Sequence, residues 1–309
     1  MAITVQNLKP DLRMAHMISM EIKLLLSDAT NLRNTPFMDF VGSINGQGSD
    51  TIRVRKAFLD GESGWSEFSG GTEADAVTPS SLVDESTDVV VKRQALAYEI
   101  SDLASMTGMG NDIDPFRIAE HIAKSYEARF ANLTGALLGG FTAQVGAASA
   151  LTVSVFLDAI QTLESADSGK GAPGPYVCVL APQQFAELQD SIRAEATGIL
   201  QFVAPSYEAI SAKGSHYKGS FMGVEIYTSS YVTDDTVNFS GAMFAPGAIG
   251  YATGAPAGLP GAVESMEMGE VVIEMDRDAT KALTRIVGHA YLGMSIIENE
   301  RGVEIFTLV

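Results

Sequence analysis

Two rhythms of apolar residues alternate along this chain of 309 residues, and each change of rhythm marks a change of element. Met14, Ile18, Ile22, Leu25, Ala29 and Leu32 step by three and four, which predicts an amphipathic helix over 11–33. Asn34, Thr35 and Pro36 end it. The stretch from Phe37 to Asp50 reads as turns, with Gly42, Asn45, Gly46 and Gly48. Period-two patterns then predict strands over Thr51–Phe58 and Thr87–Ile100.

The strongest helical signal follows. Asp114 suits an N-cap and Pro115 the first helical position. A stripe of Phe116, Ala119, Ile122, Tyr126, Phe130, Leu133 and Leu137 runs on to Gly139 and Gly140, which close the helix. Such a helix of about 24 residues spans roughly 36 Å, long enough to act as a spar across a domain. Beyond Leu151 the elements shorten. A helix carries Val155, Phe156, Ala159, Ile160 and Leu163, and Tyr176–Ala181 reads as a buried strand. Pro182 opens a helix with Phe185 and Leu188. Residues 195–220 read as irregular and polar, Val224–Thr228 and Ala242–Ala245 as strands, and Pro246–Gly261 as a Gly- and Pro-rich connection. This mixture predicts a compact α+β unit. The last part reads as strands at Glu270–Met275, Lys281–Met294 and Val303–Leu308, with a turn at Asp276–Thr280.

Composition sharpens one region above all. Residues 57–91 hold Asp60, Glu62, Glu67, Glu73, Asp75, Asp84, Glu85 and Asp88 with no Lys or Arg, and Gly and Ser crowd the centre. Such a hairpin has too few apolar groups to pack on its own body, so it either stands in solvent or lies on a neighbour. Trp65, the one tryptophan, lies in that loop among Gly, Ser and Glu. That setting is not a core, and aromatic anchors are typical of interfaces.

The net charge of −18 favours solubility and disfavours nucleic-acid binding, which needs clustered Lys and Arg. The densest basic spot is Arg53, Arg55 and Lys56, the first two on one strand face. Cys178 is the one cysteine, which excludes an intrachain disulfide, and it reads as a small core residue. The start, MAITVQNLKPD, lacks a secretory pattern, and no run of eighteen apolar residues suggests a membrane span. An intracellular, reducing site of synthesis is therefore expected.

Catalytic signatures are missing. There is no G-x-S-x-G elbow and no Gly-Lys-Ser/Thr phosphate loop. His16, His121, His216 and His289 are scattered without metal-ligand spacing. Carboxylates are plentiful, but a wet Gly-rich loop supplies neither the burial nor the close charge that tunes an acid. No catalytic, cofactor or metal residue is therefore nominated.

The order of elements resembles the major capsid protein of tailed bacteriophages, the Hong Kong 97-like fold. The most specific stretch is a helix at Ser154–Ser165, then YVCVLAPQQFAELQD at Tyr176–Asp190, KGSFMGVEIYTSSYV at Lys218–Val232 and GAMFAPGAIGYAT at Gly241–Thr253. The resemblance implies an α+β capsid fold with four parts. These are an N-arm at 1–50, an extended β-hairpin loop at 51–100, a peripheral domain with a long spine helix at 101–150 and 263–309, and an axial domain at 151–262. It also implies self-assembly into hexamers and pentamers of an icosahedral shell in the virion, made in the host cytoplasm. The shell would enclose DNA without sequence-specific binding, with no membrane and no cofactor.

A portal is an implied partner, and so is a separate scaffolding protein, because the arm helix begins near residue 11 and leaves no room for a fused scaffold; non-covalent clamping or a decoration protein would stabilise the shell. No lysine lies between Lys56 and Lys92, so the lysine–asparagine cross-link of the family's founding member is not expected. Met14, Ile18, Ile22, Leu25, Arg53, Arg55, Lys56, Trp65 and Phe68 are the expected subunit-interface residues. Gly42, Gly46 and Gly48 are the expected hinge. The alternatives are an encapsulin-like compartment shell and an unrelated acidic enzyme.

Overall fold

The computed structural model describes residues 38–45, 48–55, 86–103, 115–146, 149–166, 171–194, 202–214, 216–232, 238–254, 263–265 and 271–308. In chain order the strands are β1 (Met38–Ser43), β2 (Thr51–Arg55), β3 (Ser86–Val90), β4 (Lys92–Ser101), β5 (Ala143–Val145), β6 (Val177–Leu180), β7 (Phe202–Val203), β8 (Tyr217–Phe221), β9 (Val224–Thr228), β10 (Asn238–Phe244), β11 (Ile249–Gly254), β12 (Val263–Ser265), β13 (Val271–Asp278), β14 (Leu283–Ile296) and β15 (Gly302–Leu308). The helices are α1 (Pro115–Leu138), α2 (Val153–Glu164), α3 (Pro182–Ala194) and α4 (Tyr207–Lys213).

Two large sheets share one spar. The seven-stranded sheet has the order β5-β15-β10-β6-β9-β8-β7, and the six-stranded sheet runs β1-β11-β14-β13-β12 with β4 also on β14. The central strand β6, Val-Cys-Val-Leu, is buried at every position because helices cover both faces of its sheet. On one side α2 and α3 bring Val153, Phe156, Ala159, Leu163 and Leu188 against Cys178, Leu180, Phe221 and Ile226. On the other side α1 brings Phe130, Ala131 and Leu138 against Val177, Val179, Tyr227 and Phe244. Gln184 fastens α3 to the sheet: its Oε1 accepts from Ala181 N at 3.0 Å, and its Nε2 donates to Thr307 Oγ1 at 2.8 Å and Ile305 O at 3.1 Å.

The first half of α1 lies on the six-stranded sheet instead. Ile118, Ile122 and Tyr126 pack on Val271, Ile286 and Ala290, with Leu96, Tyr98 and Ile100 at the margin. Ile118, Ile122, Tyr126, Phe130, Thr134 and Leu138, all buried, follow one another along α1 at a strict step of four. At 3.6 residues per turn each step of four gains about 40°, so the stripe winds about 200° around the helix. That drift lets one helix face a different sheet at each end. Leu133 and Leu137, expected in the stripe from a fixed 3.6 period, are only half-buried beside it.

Four expectations need correction. The 37–50 stretch read as turns holds β1, which pairs parallel with β11. The connection read at Pro246–Gly261 holds β11 itself, buried along its length. The "irregular" 195–220 stretch contains β7, α4 and β8. The strand expected over Thr87–Ile100 breaks at Val91: β3 pairs with β2, and β4 pairs with β14. Gly250 shows why β11 looks like a loop in sequence. A side chain there would bring its Cβ within 2.4 Å of Ile297 Cδ1 and 2.6 Å of Val41 Cγ2, so any larger residue would have to push those two side chains aside. The helix expected over 11–33 and the cap Asp114 lie outside the described residues.

Candidate assembly surface

The hairpin root is a two-stranded ladder with Thr51 opposite Val90 and Arg55 opposite Ser86. Its two faces differ. Val89 and Val91 are buried and Ile52 and Val54 half-buried, in a cluster with Ala252, Ile44 and Tyr291. The opposite face carries Arg53, Arg55, Asp88 and Val90, all exposed. The root is held tightly. Thr87 Oγ1 donates to Ile297 O at 3.2 Å and Val91 N to Asp50 O at 2.9 Å. Gly293 of β14 lets this root come close, because a Cβ there would sit 2.3 Å from Val90 O.

Arg53 and Asp88 face each other across the ladder and form a forked pair, Nε to Oδ1 at 2.9 Å and Nη2 to Oδ2 at 3.3 Å. The hydrogen bond raises the arginine and lowers the carboxyl from their ordinary values. Arg53 thus already has a partner within its own hairpin. Arg55 lies exposed on the same face. Gly42 sits inside β1 at a register shift against β11, and Gly48 has a positive φ of 67°. Met14, Ile18, Ile22, Leu25, Gly46, Lys56, Trp65 and Phe68 lie outside the described residues.

Beside the root, α1 and the six-stranded sheet frame a cleft that the sequence pattern does not signal. The flank of α1 bearing His121, Ser125 and Arg129 runs along β4. His121 Nδ1 meets Tyr98 Oη, and Arg129 Nε donates to Gln94 Oε1 at 3.0 Å. Between these contacts opens a cleft of about 360 Å³ whose floor includes Leu96, Ile122, Val271 and Ala290. Among the described residues β4 pairs only with β14. A spacing of four along α1 would place Ser125 and Arg129 together; that β4 lies beneath them follows only from the tertiary pairing.

Reactive groups elsewhere are tied into the fold. Cys178 is fully buried and its thiol is pushed up by desolvation. His289 Nδ1 accepts from Arg93 Nη2 at 3.1 Å, and His216 Nδ1 lies 2.9 Å from the carbonyl oxygen of Thr228. Among the described residues no group of three His, Cys, Asp or Glu side chains is placed to hold a metal, and no helix is long and apolar enough to cross a membrane.

No family model and no curated protein sequence matches the chain. Solved structures do. The chain is similar to the mature capsid of bacteriophage PhiM1, with 11% identity, 89% of this chain and 86% of that chain covered, and a TM-score of 0.56. It is similar to the capsid of the cyanophage P-SCSP1u, with 13% identity, 91% and 88% coverage and a TM-score of 0.53. It is also similar to the holo-SrpI encapsulin complex from Synechococcus elongatus PCC 7942, with 10% identity, 99% and 90% coverage and a TM-score of 0.56. The α+β fold of this chain is therefore the fold of phage-capsid structures, in agreement with the family the element order resembles. These neighbours are shell-building proteins, not enzymes.

Proposed function

We propose that the chain is the major capsid protein of a tailed phage, a structural subunit without a catalytic site. Copies join as hexamers and pentamers into an icosahedral shell around double-stranded DNA. The observation that carries this reading is the likeness to phage capsids over about nine-tenths of both chains. Two physical features support it. A wall of net charge −18 repels packed DNA and lets it slide. A hairpin whose root is clamped and whose outer face is polar suits an arm that reaches a sibling subunit.

In this reading 1–50 is the N-arm, 51–100 the extended loop, 101–150 with 263–309 the peripheral domain and 151–262 the axial domain. Met14, Ile18, Ile22, Leu25, Arg55, Lys56, Trp65 and Phe68 contact neighbours, and Gly42, Gly46 and Gly48 form the hinge for shell expansion. Arg53 joins that set through its exposed face while keeping Asp88. A separate scaffolding protein, a portal and a decoration protein complete the particle, which is made in the host cytoplasm.

The encapsulin likeness favours a second reading, a compartment shell that encloses a protein cargo. Expression of the chain, alone and with the scaffold candidate encoded beside it, tests both. Sedimentation and electron microscopy should show closed shells. Shells purified from infected cells with DNA inside support the phage reading, and a protein cargo supports the compartment reading. Stable monomers under every condition contradict both.

A further inference from the structure

We propose that Gly293 is the positioning residue of the hairpin: it fixes the direction in which β2 and β3, and with them the acidic loop, leave the body of the subunit before any neighbour is bound. The inference rests on the shell reading for the use of that aim, and on the geometry of one crossing for the aim itself.

The crossing lies on the face of the six-stranded sheet turned away from α1. Leu292 packs with Phe130 of α1, and successive strand residues alternate between faces, so Tyr291 and Gly293 point the other way. On that side Tyr291 joins Val89, Val91 and Ala252. Ala252 is the cross-strand partner of Gly293 on β11 and is fully buried. A glycine and an alanine, side by side, thus form the floor on which the hairpin root lies.

At this floor backbone rests on backbone. A Cβ at position 293 would stand 2.3 Å from Val90 O, 2.7 Å from Val90 C and 2.9 Å from Val91 Cα. None of these atoms can turn aside as the end of a side chain can. The same addition at Gly288, on the same strand, meets only the side chain of Ile122, with 3.3 Å as its nearest approach. Sheets packed face to face ordinarily stand ~10 Å apart, because side chains fill the space between them. At Gly293 no side chain intervenes.

The chain also changes partner at this point. β3 ends at Val90, opposite Thr51, and β4 begins at Lys92, opposite Leu292. The root is tied on both sides of the crossing. Val91 N donates to Asp50 O at 2.9 Å and Thr87 Oγ1 to Ile297 O at 3.2 Å, with the fully buried Val89 between them. A root tied at both ends and resting on bare backbone is held at one tilt. A methyl group at position 293 would have to move Val90 out to ordinary contact, about 3.5 Å, a lift of roughly 1 Å. With Thr87 and Val91 still tied, the lift becomes a rotation of the hairpin. The strands carry that rotation to the acidic loop, which begins where the ladder ends at Arg55 and Ser86.

Distances between spin labels on the unassembled full chain test the aim. Ser86→Cys at the exposed end of β3 and Asp158→Cys on the exposed side of α2 carry the labels, and the natural Cys178 is buried and stays unlabelled. The labelled parent should give one narrow distribution of distances. Adding Gly293→Ala should move its centre by more than its width, while Gly288→Ala leaves it in place. Thermal unfolding of the Gly293→Ala chain should remain cooperative, and closed shells should give way to open or misshapen ones.

A broad distribution in the parent overturns the inference, because nothing is then aimed. A Gly293→Ala chain with the parent's distribution, or with normal closed shells, overturns Gly293 as the positioning residue. If Gly293→Ala does not fold, Ala252→Ser raises the same floor beneath Val89 and Val91 by one atom and is held to the same outcomes. A parent chain that never assembles overturns the shell reading, and the distances still decide whether the hairpin is aimed.

Discussion

The seven-stranded sheet and the β2–β3 hairpin solve the same problem in opposite ways. The sheet is covered on both faces by its own chain: Phe156, Leu163, Leu180, Leu188 and Phe221 are all at most 1% exposed. The hairpin buries Val89 and Val91 at its root and turns Arg53, Arg55, Asp88 and Val90 outward. One region is complete within a single molecule. The other has one finished face and a loop whose composition cannot finish the second. The difference teaches where the folding of the single chain ends and where, in the proposed shell, assembly would begin.

The sharpest break of that contrast is removal of residues 60–85 with a short Gly-Ser turn in their place. Circular dichroism and the thermal midpoint should stay close to those of the full chain, while closed shells disappear from micrographs. Next in size, Phe156→Ala should cost about 3–5 kcal/mol in urea unfolding, because it empties a fully enclosed site. The matching truncation in the hairpin, Val54→Ala, should cost only about 1 kcal/mol, since that side chain is half-buried.

Gln184→Leu comes third. It leaves Ala181 N, Ile305 O and Thr307 Oγ1 without their partner inside the core, at a cost of about 1–3 kcal/mol. The smallest effect is a pH slope. Burial raises the carboxyl of Glu304 above the ordinary glutamate value of 4.5, against a weaker lowering by Ser240. The folded state then holds the proton more tightly than the unfolded chain, so the contribution is present below 4.5 and is lost as pH rises through the folded value. Thermal midpoints measured across this range should fall less with pH in Glu304→Gln than in the parent chain.

Local signals were legible and tertiary ones were not. Pro115 and Gly139 bracket α1 as the sequence predicts. Its stripe drifted from the expected one because the helix serves two sheets, and nothing within the helix announces a second partner. The strand at Ile249–Gly254 was hidden by glycines against which Ile297, Val41 and Ile44 pack closely, and that at Met38–Ser43 by Gly42, which sits at a register shift with a positive φ. The long β14 pairs with β11 along one part and with β4 and β13 along another, and its sequence carries no sign of that division. The cleft under Arg129 escaped for the same reason: half of it belongs to α1 and half to a strand whose place is set by β14. The acidic loop, by contrast, was evident from composition alone.

Hydrogen exchange of peptides covering residues 57–85, measured on the unassembled subunit and on closed particles, tests most directly whether siblings complete this molecule. The account predicts rapid exchange in the subunit and strong protection in the particle, with the peptides of α2 and β6 slow in both. Equal protection of 57–85 in the two states would contradict it.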